Sequence, residues 1–298
     1  MSFSYDSKVE LCKIEDEGKC CAISECYGVL LYCNTFSSRE IRIITGNQML
    51  ALRLEKQFYK AFSINFDILP DSDKTGKRTF IVSDQAKLKR IYETYGYSPE
   101  NLLAHHVNLS VLEEECCKKS FLRGVFFAGG AITDPTKSYH LELATSHSSV
   151  SRGVYSLLLE MGFYPKETAR SGNHILYFKQ SSVIEDFLTL IGAPIHAMKL
   201  MSTKIEKDMR NAVQRKVNCD TANVTKIVDA AAAQIDAIMK IENSGNYDQL
   251  NDKLKETAQL RLENPELSIK ELAELFNPPL SKSAVNHRLR KLVSLSGQ

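Results

Sequence analysis

The chain reads as α+β: a duplicated αβαββα domain over residues 1–195, followed by an all-α domain that carries a helix-turn-helix near its end. Three observations predict this. The chain repeats itself at an offset of 96 that widens to 100. Within each copy, helical and alternating apolar patterns follow one another in the same order. Past residue 195 only helical periodicity remains.

The repeat is anchored by two cysteine pairs. At an offset of 96, Cys21 falls on Cys117, Gly28 on Gly124, Val29 on Val125 and Phe36 on Ile132. At an offset of 100, Ile41 and Ile43 fall on Leu141 and Leu143, and Thr45 on Thr145, so four extra residues lie near Asp134-Pro135. A period near 100 is too long for a solenoid unit and marks two copies of a subdomain, about 1–98 and 99–195. Each copy opens with an apolar helix containing a small residue, 25–34 and 118–129. A short strand follows, 40–45 and 139–145. An amphipathic helix comes next, 48–62 and 148–161, with Met49, Leu52, Phe58 and Phe62 at helical spacing in copy one. Two strands succeed it, 64–69 with 79–83 and 163–168 with 174–179. Turns at 71–76 and 170–173 join them. Closing helices are expected at 84–95 and 182–191.

Composition excludes several classes. The chain has 298 residues, 43% hydrophobic and 25% charged, with 14 Gly and 8 Pro, which is ordinary globular usage. Lys+Arg of 38 against Asp+Glu of 36 leaves a net charge of +2, so any basic surface is local. No apolar run approaches the roughly 18–20 residues that span a bilayer. The first residues lack a basic region followed by an apolar one, so no membrane association is expected and the eight cysteines read as reduced cytoplasmic thiols. Cys20-Cys21 and Cys116-Cys117 invite a zinc reading. Zinc ligands are usually spaced Cys-x2–4-Cys, however, and adjacent side chains are expected to diverge. The pairs are therefore read as markers of duplication, with no metal and no cofactor.

The helix Phe121-Leu-Arg-Gly-Val-Phe-Phe-Ala-Gly-Gly-Ala-Ile132 and its counterpart Glu25-Cys-Tyr-Gly-Val-Leu-Leu-Tyr-Cys-Asn34 carry small residues that permit close packing. They resemble the paired helices of the LAGLIDADG homing-endonuclease fold. That resemblance implies two such helices at a pseudo-twofold interface beneath a saddle of strands. It also implies acidic metal ligands at the helix C-terminal ends, because hard cations need oxygen donors. At those places stand Phe127 and Gly129, and by the repeat Leu31 and Cys33. None is a carboxylate, and Asp134 lies past the helix end before Pro135, where a turn role is expected. No catalytic residue is assigned.

Residues 196–217 read as a basic connector helix. Six cations stand there against two acids, and Lys204, Lys207, Arg210, Arg215 and Lys216 are candidate phosphate contacts. A helical DNA-binding domain is expected over 218–298, with helices at 224–241 and 250–261. Its helix-turn-helix is placed at 268–293. Ser268 with Glu271 forms a capping box, Ile269, Leu272, Ala273 and Phe276 make an apolar stripe, and Pro278-Pro279 stops the helix. A second helix follows with Val285, Leu289 and Leu292 as its core side. Ser281, Lys282, Ser283, Asn286, His287, Arg288, Arg290 and Lys291 are the candidate DNA contacts. No acid occurs from 281 to 298. Recognition helices present such residues to the major groove: Asn to adenine, Arg to guanine, other cations to phosphate.

Leu260-Arg-Leu-Glu-Asn-Pro-Glu-Leu-Ser-Ile-Lys-Glu-Leu-Ala-Glu274 and Ser281-Lys-Ser-Ala-Val-Asn-His-Arg-Leu-Arg-Lys291 resemble the C-terminus of the WhiA family. Arg210-Asn-Ala-Val-Gln-Arg-Lys-Val-Asn-Cys-Asp-Thr-Ala-Asn223, Tyr139-His-Leu-Glu142 and the cysteine pairs match it too. The resemblance implies a bacterial DNA-binding transcription regulator that is not an enzyme. It joins a degenerate LAGLIDADG-like domain to a helix-turn-helix and is linked to sporulation, cell division and chromosome segregation. The partners it implies are double-stranded DNA and a sigma factor or RNA polymerase, and the location it implies is the cytoplasm, on the nucleoid. Copy one departs most from the family's wording, at Ser24-Glu-Cys-Tyr-Gly28 and Asn34-Thr-Phe-Ser37. The competing readings are an active homing endonuclease, a sigma-factor-binding module with little DNA contact, and a single-stranded or RNA binder, for which the aromatic-basic ladder is missing. His105-His106 is read as a loop pair and not a metal site, and Ser148 or a neighbouring serine as a helix cap.

Overall fold

A computed structural model of the chain describes residues 2–15, 18–70, 76–97 and 105–297. It divides into two compact units, Met1–Lys207 and Asp208–Gln298.

In the first unit, copy one contains α1 (Phe3–Cys12), α2 (Lys19–Tyr32), β1 (Thr35–Phe36), β2 (Ile41–Thr45), α3 (Gln48–Phe62), β3 (Arg78–Val82) and α4 (Gln85–Thr94). Copy two contains α5 (Glu115–Gly129), β4 (Gly130–Ile132), β5 (Leu141–Thr145), α6 (Ser148–Glu160), β6 (Lys166–Arg170), β7 (Asn173–Phe178) and α7 (Ser181–Ile191). The sheets are antiparallel, in the orders β1-β2-β3 and β4-β5-β7-β6. Equivalent registers, Ile43 opposite Phe80 and Leu143 opposite Leu176, put apolar side chains of both copies into one core. Asn47 caps α3, its Oδ1 accepting from the amides of Met49 and Leu50. In copy two the cap position is His147, whose side chain makes no capping bond, so the expected serine cap is corrected.

α2 and α5 lie side by side at the centre. Both are buried around most of their circumference, the pattern of a helix enclosed by other elements. Their backbones meet at Gly28 and Gly124. A Cβ on Gly124 would stand 2.0 Å from the Glu25 carbonyl oxygen, and one on Gly28 2.2 Å from that of Phe121. Beside this crossing, Glu25 binds two arginines: Arg53 through Nε and Nη2 at 2.6 and 2.8 Å, and Arg123 through Nη1 at 3.2 Å. Arg53 also donates to the Ile14 carbonyl and Arg123 to that of Ile191. This buried network thus joins both copies.

Four expectations are corrected. The strand at 64–69 is reduced to a bridge between Ile68 and Ile81. The Asp67 carboxylate takes the amides of Ser83 and Asp84 and pairs with Lys87, which ties the segment to the start of α4, itself capped by Asp84. The turn residues 71–75 lie outside the described residues. Copy two's strand at 163–168 shifts to Lys166–Arg170. A short strand follows each central helix, and α1 precedes them; none was anticipated. Finally, the basic connector and the helix at 224–241 are one helix, α8 (Pro194–Asn243). No Gly or Pro interrupts positions 195–243, and Gln214–Asn218 pairs along the helix at 2.8 Å.

In the second unit, α9 (Asp252–Glu263), α10 (Ile269–Glu274) and α11 (Lys282–Leu295) gather around the end of α8. Their core contains Ile238, Ile241, Leu254, Ala258, Leu272, Phe276, Val285, Leu289 and Leu292.

Candidate nucleic-acid interface

The helix-turn-helix is α10 and α11. Ser268 and Glu271 form both bonds of the capping box that starts α10. The Leu280 amide donates to the Ala273 carbonyl across the turn. Ser281 caps α11, its hydroxyl accepting from the Ala284 amide at 3.2 Å, which engages the side chain proposed as a DNA contact.

α11 buries Val285, Leu289 and Leu292. At 100° per residue, Ser283, Asn286, His287 and Arg290 form one i, i+3, i+4, i+7 stripe on the opposite side. Ser283, His287 and Arg290 are exposed and Asn286 is half-buried. Lys282 and Lys291, both exposed, flank the stripe. Arg288 behaves differently. Its guanidinium lies 5.4 Å from the Phe276 ring centroid, 3.4 Å from the Lys253 carbonyl oxygen and 3.6 Å from Glu256 Oε2. It ties α11 to α9 and to Phe276 just past α10, so its expected place on the exposed face is corrected.

Two cations not singled out from sequence join this surface. Lys226 and Lys270 line one groove with Lys282, over a cavity of about 230 Å³. Lys270 lies inside the capping box, between Ser268 and Glu271, and was legible as an exposed cation; Lys226, from α8, joins it only through folding. Of the α8 candidates, Arg210, Arg215 and Lys216 are exposed and Lys204 is half-buried. Lys207 donates to the Pro135 carbonyl at 2.6 Å and sits 5.0 Å from the Tyr139 ring centroid, so it is already engaged.

The C-terminal ends of α2 and α5 are unlike a metal site. Their pocket is lined by uncharged residues, among them Val29, Tyr32, Cys33, Phe127 and Ala128. The Lys8 ammonium, from α1, donates to the Phe127 carbonyl at 3.0 Å. Burial lowers the Lys8 pKa to about 8. A cation from the chain itself thus stands at the helix end. Asp134 serves its turn, its Oδ1 accepting from the Thr136 amide and hydroxyl at 2.8 and 2.7 Å. His105 is buried, its ring stacked on Phe36 and its Nε2 against the Phe36 carbonyl.

At the other end of the same helices the structure corrects the argument about adjacent cysteines. The sulfurs of Cys20 and Cys21 are 3.9 Å apart and those of Cys116 and Cys117 4.0 Å. All four lie within 4.8 Å of one another. The repeat itself was the available signal: equivalent positions near a pseudo-twofold axis meet.

Among the described residues no helix is long and apolar enough to cross a membrane. The family described as the WhiA LAGLIDADG-like domain matches residues 118–210, and the WhiA C-terminal HTH domain matches 213–296. A probable cell division protein WhiA from Ruminiclostridium cellulolyticum is 40% identical over 301 residues, covering 98% of this chain and 96% of the relative. One from Alkaliphilus metalliredigens is 33% identical over 311 residues, with the same coverage. The crystal structure of full-length WhiA from Thermotoga maritima superposes with a TM-score of 0.61 at 23% identity, covering 100% of this chain and 98% of that one, which establishes a shared fold. With its LAGLIDADG-like domain followed by a helical HTH domain, the chain belongs to the WhiA family.

Proposed function

We propose that this protein is a non-enzymatic regulator that binds double-stranded DNA through α11 and controls genes of cell division, with sporulation and chromosome segregation as associated programmes. The observation that carries the reading is the stripe of Ser283, Asn286, His287 and Arg290 opposite the core side of α11, flanked by Lys282 and Lys291. An Asn and an Arg one turn apart suit adenine and guanine edges, and the flanking ammonium groups suit phosphates. Lys226 and Lys270 extend the phosphate-binding side, and Arg210, Arg215 and Lys216 offer further contacts along α8. The relatives' name, probable cell division protein, supports the biological setting. The cytoplasm, on the nucleoid, follows as the place of action, and a sigma factor or RNA polymerase as the protein partner.

One short helix makes a small footprint, so a second contact or a second copy is needed for useful specificity. Duplex titrations at several salt concentrations test the assignment. Asn286→Ala loses about 1–3 kcal/mol at one base pair and changes base preference there. Lys282→Ala weakens all duplexes alike and lowers the salt slope by about one unit. A chain ending at Pro279 that bound its site as tightly as the full protein would make the LAGLIDADG-like domain the reader. The nuclease alternative is tested by incubating plasmid with pure protein and Mg²⁺ or Mn²⁺. Uncharged residues and Lys8 at the helix ends favour no nicking.

A further inference from the structure

We propose that Cys20, Cys21, Cys116 and Cys117 form a tetrathiolate site for one zinc ion, which clamps the N-terminal ends of α2 and α5 together. A tetrahedral zinc with sulfurs at about 2.3 Å has sulfur–sulfur edges of about 3.8 Å. The two edges within the pairs are 3.9 and 4.0 Å, and all six lie within 4.8 Å. Small side-chain rotations close such a set around an ion. A disulfide instead needs about 2.05 Å between sulfurs, and within a pair the Cα atoms, about 3.8 Å apart, are closer than a disulfide ordinarily spans.

Hydrophobic packing does not account for the cluster. Cys21 and Cys117 are buried, but Cys20 and Cys116 are exposed. The set therefore has an inner half and an open half, which gives an ion access from solvent. The sulfurs also sit at two helix starts. α2 begins after Gly18 and α5 after Glu114, and neither cap residue provides a side-chain bond to the first turn. Zinc with four thiolates carries two net negative charges, and each helix N-terminus supplies about half a positive charge. One turn further in, Ser24 and Ser120 are fully buried at equivalent repeat positions. The Ser24 hydroxyl donates to the Cys20 carbonyl oxygen at 3.0 Å, which holds the backbone of that cysteine against the helix. Four soft donors in a tetrahedral set select zinc over hard cations. The ion would bridge residues 96 positions apart, holding the repeat interface at the end opposite Phe127.

The test begins with elemental analysis of full-length protein purified under reducing conditions without chelator. One zinc per chain is expected. Protein stripped of metal and titrated with Co²⁺ is expected to show thiolate-to-cobalt charge-transfer and tetrahedral d–d bands that saturate at one equivalent, and zinc is expected to bleach them. Cys20→Ser and Cys116→Ser each reduce bound zinc to about a tenth or less, while Cys219→Ser on α8 keeps it. Should the serine variants fail to fold, the cobalt titration of the unaltered chain still decides. Eight titratable thiols with neither zinc nor cobalt bound would overturn the proposal. So would stoichiometric iron, or a mass two hydrogens lighter per disulfide.

Discussion

Arg288 and Arg290 stand two positions apart on α11 and face nearly opposite ways, because each helical residue turns the side chain by about 100°. Their spacing alone means that both cannot face one groove floor; contact with Phe276 and the Lys253 carbonyl shows that Arg288 is the one turned away. Arg288→Ala is expected to lower stability by about 1–2 kcal/mol through the lost ring and carbonyl contacts. Arg290→Ala should leave the melting temperature unchanged and weaken duplex binding. Thermal melts beside binding titrations separate them; a binding loss without destabilisation in Arg288→Ala would return that residue to the interface. Asp67 is a second case. Burial raises its pKa, but Lys87 and the amides of Ser83 and Asp84 outweigh this and hold it at about 2. A depressed carboxylate contributes stability above its unfolded pKa of about 3.9, and the contribution is lost as pH falls through about 2. Asp67→Asn is therefore expected to cost on the order of 1 kcal/mol at neutral pH. The difference from the unaltered chain should shrink between about pH 4 and about pH 2 in denaturant titrations.

Gly28 and Gly124 decide what α2 and α5 can be as a pair. An added Cβ meets backbone oxygen, not a flexible side chain, at either position. Gly124→Ala therefore forces the helices apart, at a cost of about 1–3 kcal/mol or more. Chemical denaturation of this variant beside Gly162→Ala measures the crossing, since Gly162 has open space and costs only its positive φ. Equal losses in the two would remove the close-approach explanation. The elements legible in sequence are those with strong local signals. α3 matches its expected bounds because its apolar stripe and Asn47 cap agree. α10 follows its capping box. α1 was not anticipated because its face is mixed, with Ser7 buried alongside Leu11. The strand expected at 64–69 satisfied β periodicity, yet Asp67 found amide donors elsewhere.

At the scale of the molecule, two separate cores correspond to the two units. The Glu25 carboxylate pairs with both Arg53 and Arg123, and all three are buried. Removing one member of a buried ion network leaves the remaining buried charges less compensated, at about 3–5 kcal/mol. Glu25→Ala is thus expected to lower the calorimetric transition of the Met1–Lys207 unit and leave that of Asp208–Gln298 in place. Equal shifts in both would mean that the units unfold as one.

Sequence alone determined the duplication, the order of most helices and strands, the helix-turn-helix, and the missing acids at positions 31, 33, 127 and 129. Periodicity, caps and breakers act between residues a few positions apart, so they can be read along the chain. Tertiary structure decided the rest. It turned Arg288 inward, set Lys8 against the Phe127 carbonyl, placed Lys226 beside Lys270 and Lys282, and drew two cysteine pairs 96 positions apart into one cluster. Each depends on which helix backbones approach closely enough for distant side chains to meet, and at the centre of this fold that approach is set by two glycines.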